Sequence, residues 1–181
     1  RAILQAMLED PDRTLEESVD LHQRAAVPYG LFLSGGIDSA TLLTLMARLN
    51  QDPVLAYTAG FDVPEAADER EHAAAVAKAC GAHHESIEIN EAMVWRHLPE
   101  IVACMDDPAA DYAIIPSWFL ARRAQQDVKV VLCGEGGDEL FAGYGRYRAS
   151  MRPWWLGGRV KRGREVFDRV DSALSQNLSE L

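Results

Sequence analysis

The sequence predicts an α/β fold, a doubly wound parallel sheet with helices on both faces. Three observations carry that prediction. Short apolar runs alternate along the chain with longer segments whose apolar residues recur at helical spacing. Two runs, residues 29–33 and residues 128–132 (apolar except for Lys129), are near-continuous, as buried parallel strands are. Each of these two runs is followed at once by a glycine-rich loop, and ligands of such sheets sit beyond the carboxyl ends of the strands.

The elements follow in order. Ile3, Leu4, Met7 and Leu8 recur at helical spacing, and Pro11 is expected to end that helix. A second helix over 15–26 takes Thr14 as its cap, with Glu17 completing a capping box, and Pro28 stops it. Residues 29–33 form the first strand. The next helix, 40–50, carries Leu42, Leu43, Leu45 and Met46, and residues 54–58 form a second strand that ends at Ala59-Gly60. An alanine-rich helix over 68–80 is ended by Gly81. Residues 83–89 alternate, Ser86 and Glu88 on one side and Ile87 and Ile89 on the other, which reads as a third strand. A helix over 91–105 has a weak point at Pro99. A loop around Asp106-Asp107-Pro108 follows, and Pro116 opens another helix in its first turn. The fourth strand, 128–132, is expected beside the first. Beyond Tyr144 the pattern weakens: Pro153, Trp154, Trp155 and the glycine pair 157–158 mark a break, and 164–174 reads as a helix.

Length and composition set bounds. The 181 residues suit one domain, and a hydrophobic share of 48% supplies a core. Residues 1–150 are expected to form that domain, with 151–181 a basic helical tail opening a further region. The chain starts at Arg1, so it is expected to be a piece of a longer protein. No apolar run approaches the ~20 residues of a membrane span, and no signal peptide is recognisable. Cys80, Cys104 and Cys133 are scattered without a C-x-x-C pair, which fits a reducing cytoplasm and argues against zinc or an iron–sulfur cluster. The formal net charge is −10, yet residues 146–169 hold eight Lys/Arg against Glu165 and Asp168. That segment suits phosphates or nucleic acid, or equally a solvated or domain-contacting helix.

The chemistry is concentrated in Ser34-Gly35-Gly36-Ile37-Asp38-Ser39, read as strand, loop and helix start. Such a loop offers backbone N–H groups and a helix N-terminus to an anion. Gly35 and Gly36 allow close approach, and Ser34 and Ser39 add hydroxyls. Ser39 or Asp38 is expected to cap the helix. A carboxylate at Asp38 beside a phosphate is repulsive unless a divalent cation stands between them. The mononucleotide loop's Lys and the dinucleotide fingerprint's third glycine are both missing. The SGGxDS pattern after a strand resembles the pyrophosphate loop of ATP pyrophosphatases. A second loop, Gly134-Glu135-Gly136-Gly137-Asp138-Glu139, sets three glycines among three carboxylates. By itself it is explained as well by an acidic helix start as by a magnesium nucleotide.

Taken together, residues 33–39 and 132–144 resemble the synthetase domain of the glutamine-hydrolysing asparagine synthetase family, which includes β-lactam synthetases. The resemblance extends over Tyr57-Thr58-Ala59-Gly60-Phe61, Asp68-Glu69, His83-His84-Glu85 and Asp106-Asp107-Pro108. It implies the adenine nucleotide alpha hydrolase-like fold. It also implies a two-step reaction: ATP adenylates a carboxylate, for asparagine synthetase the aspartate side chain, and ammonia then displaces AMP. By that resemblance Ser34, Gly35, Gly36, Asp38 and Ser39 hold the pyrophosphate, while Leu33 and Ala59 frame adenine and ribose. Asp38 and Asp138 ligate Mg²⁺, Gly134 and Glu135 line the acyl-adenylate, and Glu135 is the general base. The β-lactam branch carries tyrosine at the position of Glu135, so the glutamate favours the asparagine-type branch. Cys133 departs from the family's usual serine.

The implied cofactors are ATP and Mg²⁺, and the implied partner is an N-terminal glutaminase domain. Two further readings compete. A tRNA-modifying ATP pyrophosphatase shares the first loop, but the acidic body and the second loop oppose it, so nucleic acid is not the expected partner. A non-catalytic nucleotide-binding module is the other.

Overall fold

The computed structural model describes residues 2–62, 68–107, 111–141 and 143–144, with side chains from residue 12 onward. The chain divides into two compact units, Arg1–Gly134 and Glu135–Leu181. The expected basic tail, Trp154-Trp155 and the 164–174 helix lie outside the described residues.

The first unit is built in the order α1 (Ala2–Gln23), β1 (Tyr29–Phe32), α2 (Ile37–Leu49), β2 (Leu55–Phe61), α3 (Arg70–Ala79), β3 (His83–Ile89), α4 (Glu91–Ala103), α5 (Ile114–Ala124) and β4 (Val130–Leu132). All neighbouring strands are parallel, in the order β3-β2-β1-β4. The pairing of β1 with β4 places Gly30 opposite Val131 and Leu31 opposite Leu132.

Alternation along the strands gives the sheet two apolar faces. Leu31 and Leu33 of the first strand and its exit, with Ala56 of β2, join Val19, Leu43, Met46, Ala73 and Ala77, so α1, α2 and α3 cover one face. On the other face Tyr57 packs with Phe32, Leu55, Val131, Leu120 and Ala124 of α5. Ile87 and Ile89 extend that face, meeting Ile101 of α4 and Phe119 of α5. This is the doubly wound arrangement with helices on both faces.

Several boundaries differ from the sequence expectation. Helix α1 runs straight through Pro11. Proline keeps a helical φ and forfeits one backbone hydrogen bond at a cost of ~3 kcal/mol. Burial of Val19 with Leu15 against the core offsets that cost, and Arg48 of α2 pairs with Asp12 and Glu16 at 3.2 Å each. Thr14 and Glu17 are therefore inside the helix, and Glu17 pairs with Arg13 at 3.1 Å instead of closing a capping box. Helix α4 likewise continues through Pro99, held by Asn90, whose side chain accepts from Met93 N at 2.9 Å, and by buried Ile101. β2 extends to Phe61, because Ala59 and Phe61 find apolar partners beneath α4 and α5. Gly81, at φ +67°, ends α3 as expected.

The second unit, over its described residues, holds one short helix, α6 (Gly137–Phe141), which begins within the expected second loop and runs two residues past it. Gly136 enters it at φ +92°, a conformation that excludes side chains. Gly143 returns its N–H to Asp138 O at 2.9 Å, and a Cβ at 143 would collide with the Asp138 carboxylate. Among the described residues no helix is long and apolar enough to cross a membrane.

Gly30 is where strand packing is tightest: an added Cβ would lie 2.8 Å from Leu55 O and 3.1 Å from the Tyr57 ring. The Leu55 carbonyl is backbone and cannot swing away. Gly30→Ala should therefore lower stability by about 1–3 kcal/mol in urea denaturation. A change within about 0.3 kcal/mol would show that β1 and β2 are packed more loosely than this.

Candidate nucleotide site

The first glycine-rich loop is closed by hydroxyls. Ser39 is almost fully buried, and its Oγ accepts from Ser34 N–H at 3.2 Å. Its single hydrogen is directed at Ser34 O (3.1 Å) or Gly36 O (3.2 Å). Ser34 Oγ lies 2.9 Å from Ser39 Oγ and accepts from Gly36 N–H at 3.2 Å. The two serines thus tie the end of β1 to the first turn of α2.

That arrangement corrects the expected cap. The helix starts at Ile37, with Gly36 extended at φ −77°, ψ 155° as its N-cap, and no side chain caps it. Ser39 is spent on the loop, and Asp38 belongs to the first helical turn. The first N–H groups of a helix have no acceptor within it. With no side-chain cap they are available to an anion at this helix start.

A second set of contacts fixes the strand end. Leu33 N–H donates to Tyr57 O at 2.8 Å, and Leu33 O accepts from the buried Thr58 hydroxyl at 2.7 Å. Because that hydroxyl spends its hydrogen on Leu33, it accepts from His84 Nε2–H, 2.9 Å away. The neutral imidazole is thereby fixed as the Nε2–H tautomer. Burial lowers the His84 pKa below its usual 6.5. His84 is thus a structural feature of the edge strand β3. Thr58 carried a signal not used in the sequence reading: it is a polar residue in the middle of an apolar parallel strand.

β4 delivers Gly134 to the same place. A Cβ on Gly134 would lie 2.9 Å from Ser39 N and 3.2 Å from Asp38 Cβ, so only glycine lets this backbone rest on the first turn of α2. Cys133 is exposed, so it is not a small buried core residue.

The structure therefore brings Ser34, Gly35, Gly36, Asp38, Ser39 and Gly134 together, with Leu33 behind them. The Leu33 side chain is buried in the core, and its backbone groups are engaged within the sheet. Ala59 lies on the neighbouring strand β2, half-buried on the α4–α5 face. Glu135 and Asp138 belong to the second unit, where Glu135 is exposed and Asp138 half-buried. Among the described residues the carboxylates of Asp38, Glu135 and Asp138 have no hydrogen-bond or ion-pair partner.

One contact was not foreseen. Gly35 N–H donates to the Glu69 carboxylate at 2.9 Å. Asp68 and Glu69 had been singled out by resemblance only, and an acidic residue before a helix does not disclose which loop it reaches.

The lowered His84 pKa gives a signed prediction. A histidine that binds its proton less well when folded makes the folded state lose stability as pH falls below 6.5. Gln at position 84 keeps a neutral donor for Thr58 without titrating. The stability of the wild type relative to His84→Gln should therefore decline from about pH 8 to about pH 5.5 in denaturant titrations. Parallel curves would show that His84 is not desolvated by folding.

Comparison with known proteins gives a consistent result. The family profile described as Asparagine synthase matches residues 11–180. A protein of Mycobacterium tuberculosis (strain ATCC 25618 / H37Rv), provisionally named a glutamine-hydrolysing asparagine synthetase, is 45% identical over 152 residues, covering 83% of this chain and 23% of its own length. Glutamine-hydrolysing asparagine synthetase 1 of Bacillus subtilis (strain 168) is 37% identical over 164 residues, covering 90% of this chain and 24% of its own. Among solved structures, the NH3-dependent NAD synthetase of Campylobacter jejuni in complex with nitrate aligns with a TM-score of 0.48 and 21% identity, covering 78% of this chain and 60% of that one. The chain thus spans about a quarter of the length of these two synthetase relatives. On the profile match and these identities, the chain belongs to the asparagine synthase family.

Proposed function

We propose that this chain is the ATP-using part of an amide-forming synthetase that adenylates a carboxylate, most simply the side chain of aspartate, and passes it to ammonia. One observation carries the reading: the uncapped start of α2 and the Gly134 backbone meet at the carboxyl ends of β1 and β4. In a doubly wound sheet that is where strand order reverses and where ligands bind.

On this reading Ser34, Gly35, Gly36 and Ser39 receive the pyrophosphate portion of ATP, and the free N–H groups of the α2 first turn stabilise charge that develops as it leaves. Ala59 is placed beside the adenosine on this reading, and Leu33, whose side chain and backbone groups are engaged in the sheet, supports the strand end behind it. The carboxylate oxygen of the acceptor attacks the α-phosphorus, pyrophosphate departs, and an acyl-adenylate remains. Gly134 lines it, leaving room that a side chain would fill. Ammonia attacks the acyl carbon, Glu135 takes the proton that nitrogen must lose, and AMP leaves. Longer relatives are named as glutamine-hydrolysing, so the ammonia is proposed to come from a glutaminase domain in the longer protein.

The carboxylates of Asp38 and Asp138 are proposed to hold Mg²⁺. Their chemistry fits a hard cation, because both offer oxygens not committed to any described partner. The remaining ligands of such an ion would come from phosphate oxygens and water. When bound, the ion supplies positive charge that offsets the phosphates. Asp38 orients the bound nucleotide by that means and keeps its own charge from repelling it.

Two measurements test these roles. Calorimetric titration of the chain with ATP in Mg²⁺ should show binding that Asp38→Asn weakens by about tenfold, ~1.4 kcal/mol. Equal affinity in the variant, or no dependence on Mg²⁺, would remove Asp38 from the metal site. In the longer protein, Glu135→Gln should depress amide formation by about 10²–10⁴-fold while aspartate-dependent ATP–pyrophosphate exchange continues. Loss of both together would make Glu135 a binding residue, and loss of neither would exclude it.

A further inference from the structure

Glu69 stands before α3, between two residues of a clamp. Asp68 and Arg70 are joined through Arg70 Nε and the Asp68 carboxylate (2.8 and 3.0 Å), and Arg70 reaches on to Glu88 of β3 at 3.0 Å. The guanidinium holds the Asp68 pKa at about 2. Arg70 also lies directly over Gly60, where an added Cβ would meet its side chain at 2.5–2.9 Å. This clamp fixes the backbone on both sides of Glu69, and among the described residues no cation pairs with Glu69 itself.

Among the described residues the polar partner of the Glu69 carboxylate is the N–H of Gly35. The approach is close: a Cβ at residue 35 would lie 3.0 Å from Glu69 Cβ and 3.3 Å from its carboxyl carbon. A carboxylate with no cation among the described residues has thus been brought 34 residues along the chain to a backbone amide of a glycine-rich loop. That amide is a donor of the type which binds phosphate oxygens.

We propose that Glu69 is the resident anion of the loop: its carboxylate holds the Gly35 amide until the pyrophosphate portion of the nucleotide displaces it. This rests on the nucleotide reading above and adds an affinity-setting residue to it. The two anions cannot share one N–H, and they repel at contact distance. Glu69 therefore keeps the loop in its anion-receiving shape when no nucleotide is bound, and it lowers affinity for the pyrophosphate group. Release of that group is favoured in turn, because the carboxylate competes for the vacated amide.

Inorganic pyrophosphate is the direct probe. The 181-residue chain and its Glu69→Gln and Glu69→Ala variants are titrated calorimetrically at low salt, with thermal unfolding as the folding control and ATP in Mg²⁺ as a second ligand. Both variants should bind pyrophosphate about 3- to 10-fold more tightly than the wild type, as loss of a charge-assisted competitor requires. In ¹H–¹⁵N spectra the Gly35 resonance should differ between wild type and Glu69→Gln when free and converge when saturated with pyrophosphate. Equal or weaker binding by the variants, or a Gly35 resonance indifferent to residue 69, overturns the proposal while leaving the nucleotide site in place. Failure of the wild type and both variants to bind either pyrophosphate or ATP overturns the nucleotide reading and this proposal with it.

Discussion

The parallel pairing of β1 with β4 is the constraint on which the rest depends. The crossovers through α2 and α3 carry the chain from β1 to β2 to β3 in one direction across the sheet. The return through α4 and α5 passes to the far side of β1. Right-handed crossovers in opposite directions put their helices on opposite faces. The two apolar faces, one under α1–α3 and one under α4–α5, follow from that reversal. So does the meeting of Gly134 with the first turn of α2, since β1 and β4 are adjacent and end on the same side.

Within that frame, polar groups do local work that the hydrophobic core cannot. The core positions β1 by burying Leu31 and Leu33 completely or almost so. It does not specify how the chain turns from strand to helix. The Ser34–Ser39 hydroxyl pair does, and the Thr58 hydroxyl, backed by His84, holds the last carbonyl before the turn. A separate cluster braces the other face. Tyr57 OH donates to Asp127 at 3.0 Å, Arg123 joins Asp127 to Glu85, and burial beside Asp127 pushes the Tyr57 phenol up to about 12. Carboxylates on that face are paired with arginine. Those of Asp38, Glu135 and Asp138, in the two glycine-rich loops, have no such partner among the described residues.

The fold was legible because period and punctuation agreed. Ile87 and Ile89 alternate with Ser86 and Glu88, so β3 was read with its observed limits, and Gly81 marked the end of α3. Boundaries failed where tertiary contacts overrode local chemistry. Pro11 and Pro99 did not stop their helices, since buried Val19 and Ile101 hold the turns beyond them. At the site, glycine spacing announced the loop, but Ser39 and Asp38 looked like caps because capping depends on where a hydroxyl points. The contact of Gly134 with Asp38 and Ser39 could be expected from strand order. That of Glu69 with Gly35 could not, because it is set by the clamp of its neighbours Asp68 and Arg70 onto Glu88 of β3.

The central claim is that the turn between β1 and α2 is where the nucleotide's pyrophosphate portion sits. A crystal structure of the chain with Mg²⁺ and an ATP analogue resistant to cleavage at the α,β bridge tests it most directly. The account predicts phosphate oxygens on the N–H groups of Gly35 and the first turn of α2, with the Glu69 carboxylate moved off Gly35. An analogue bound at saturating concentration elsewhere, with Glu69 still seated on Gly35, would contradict it.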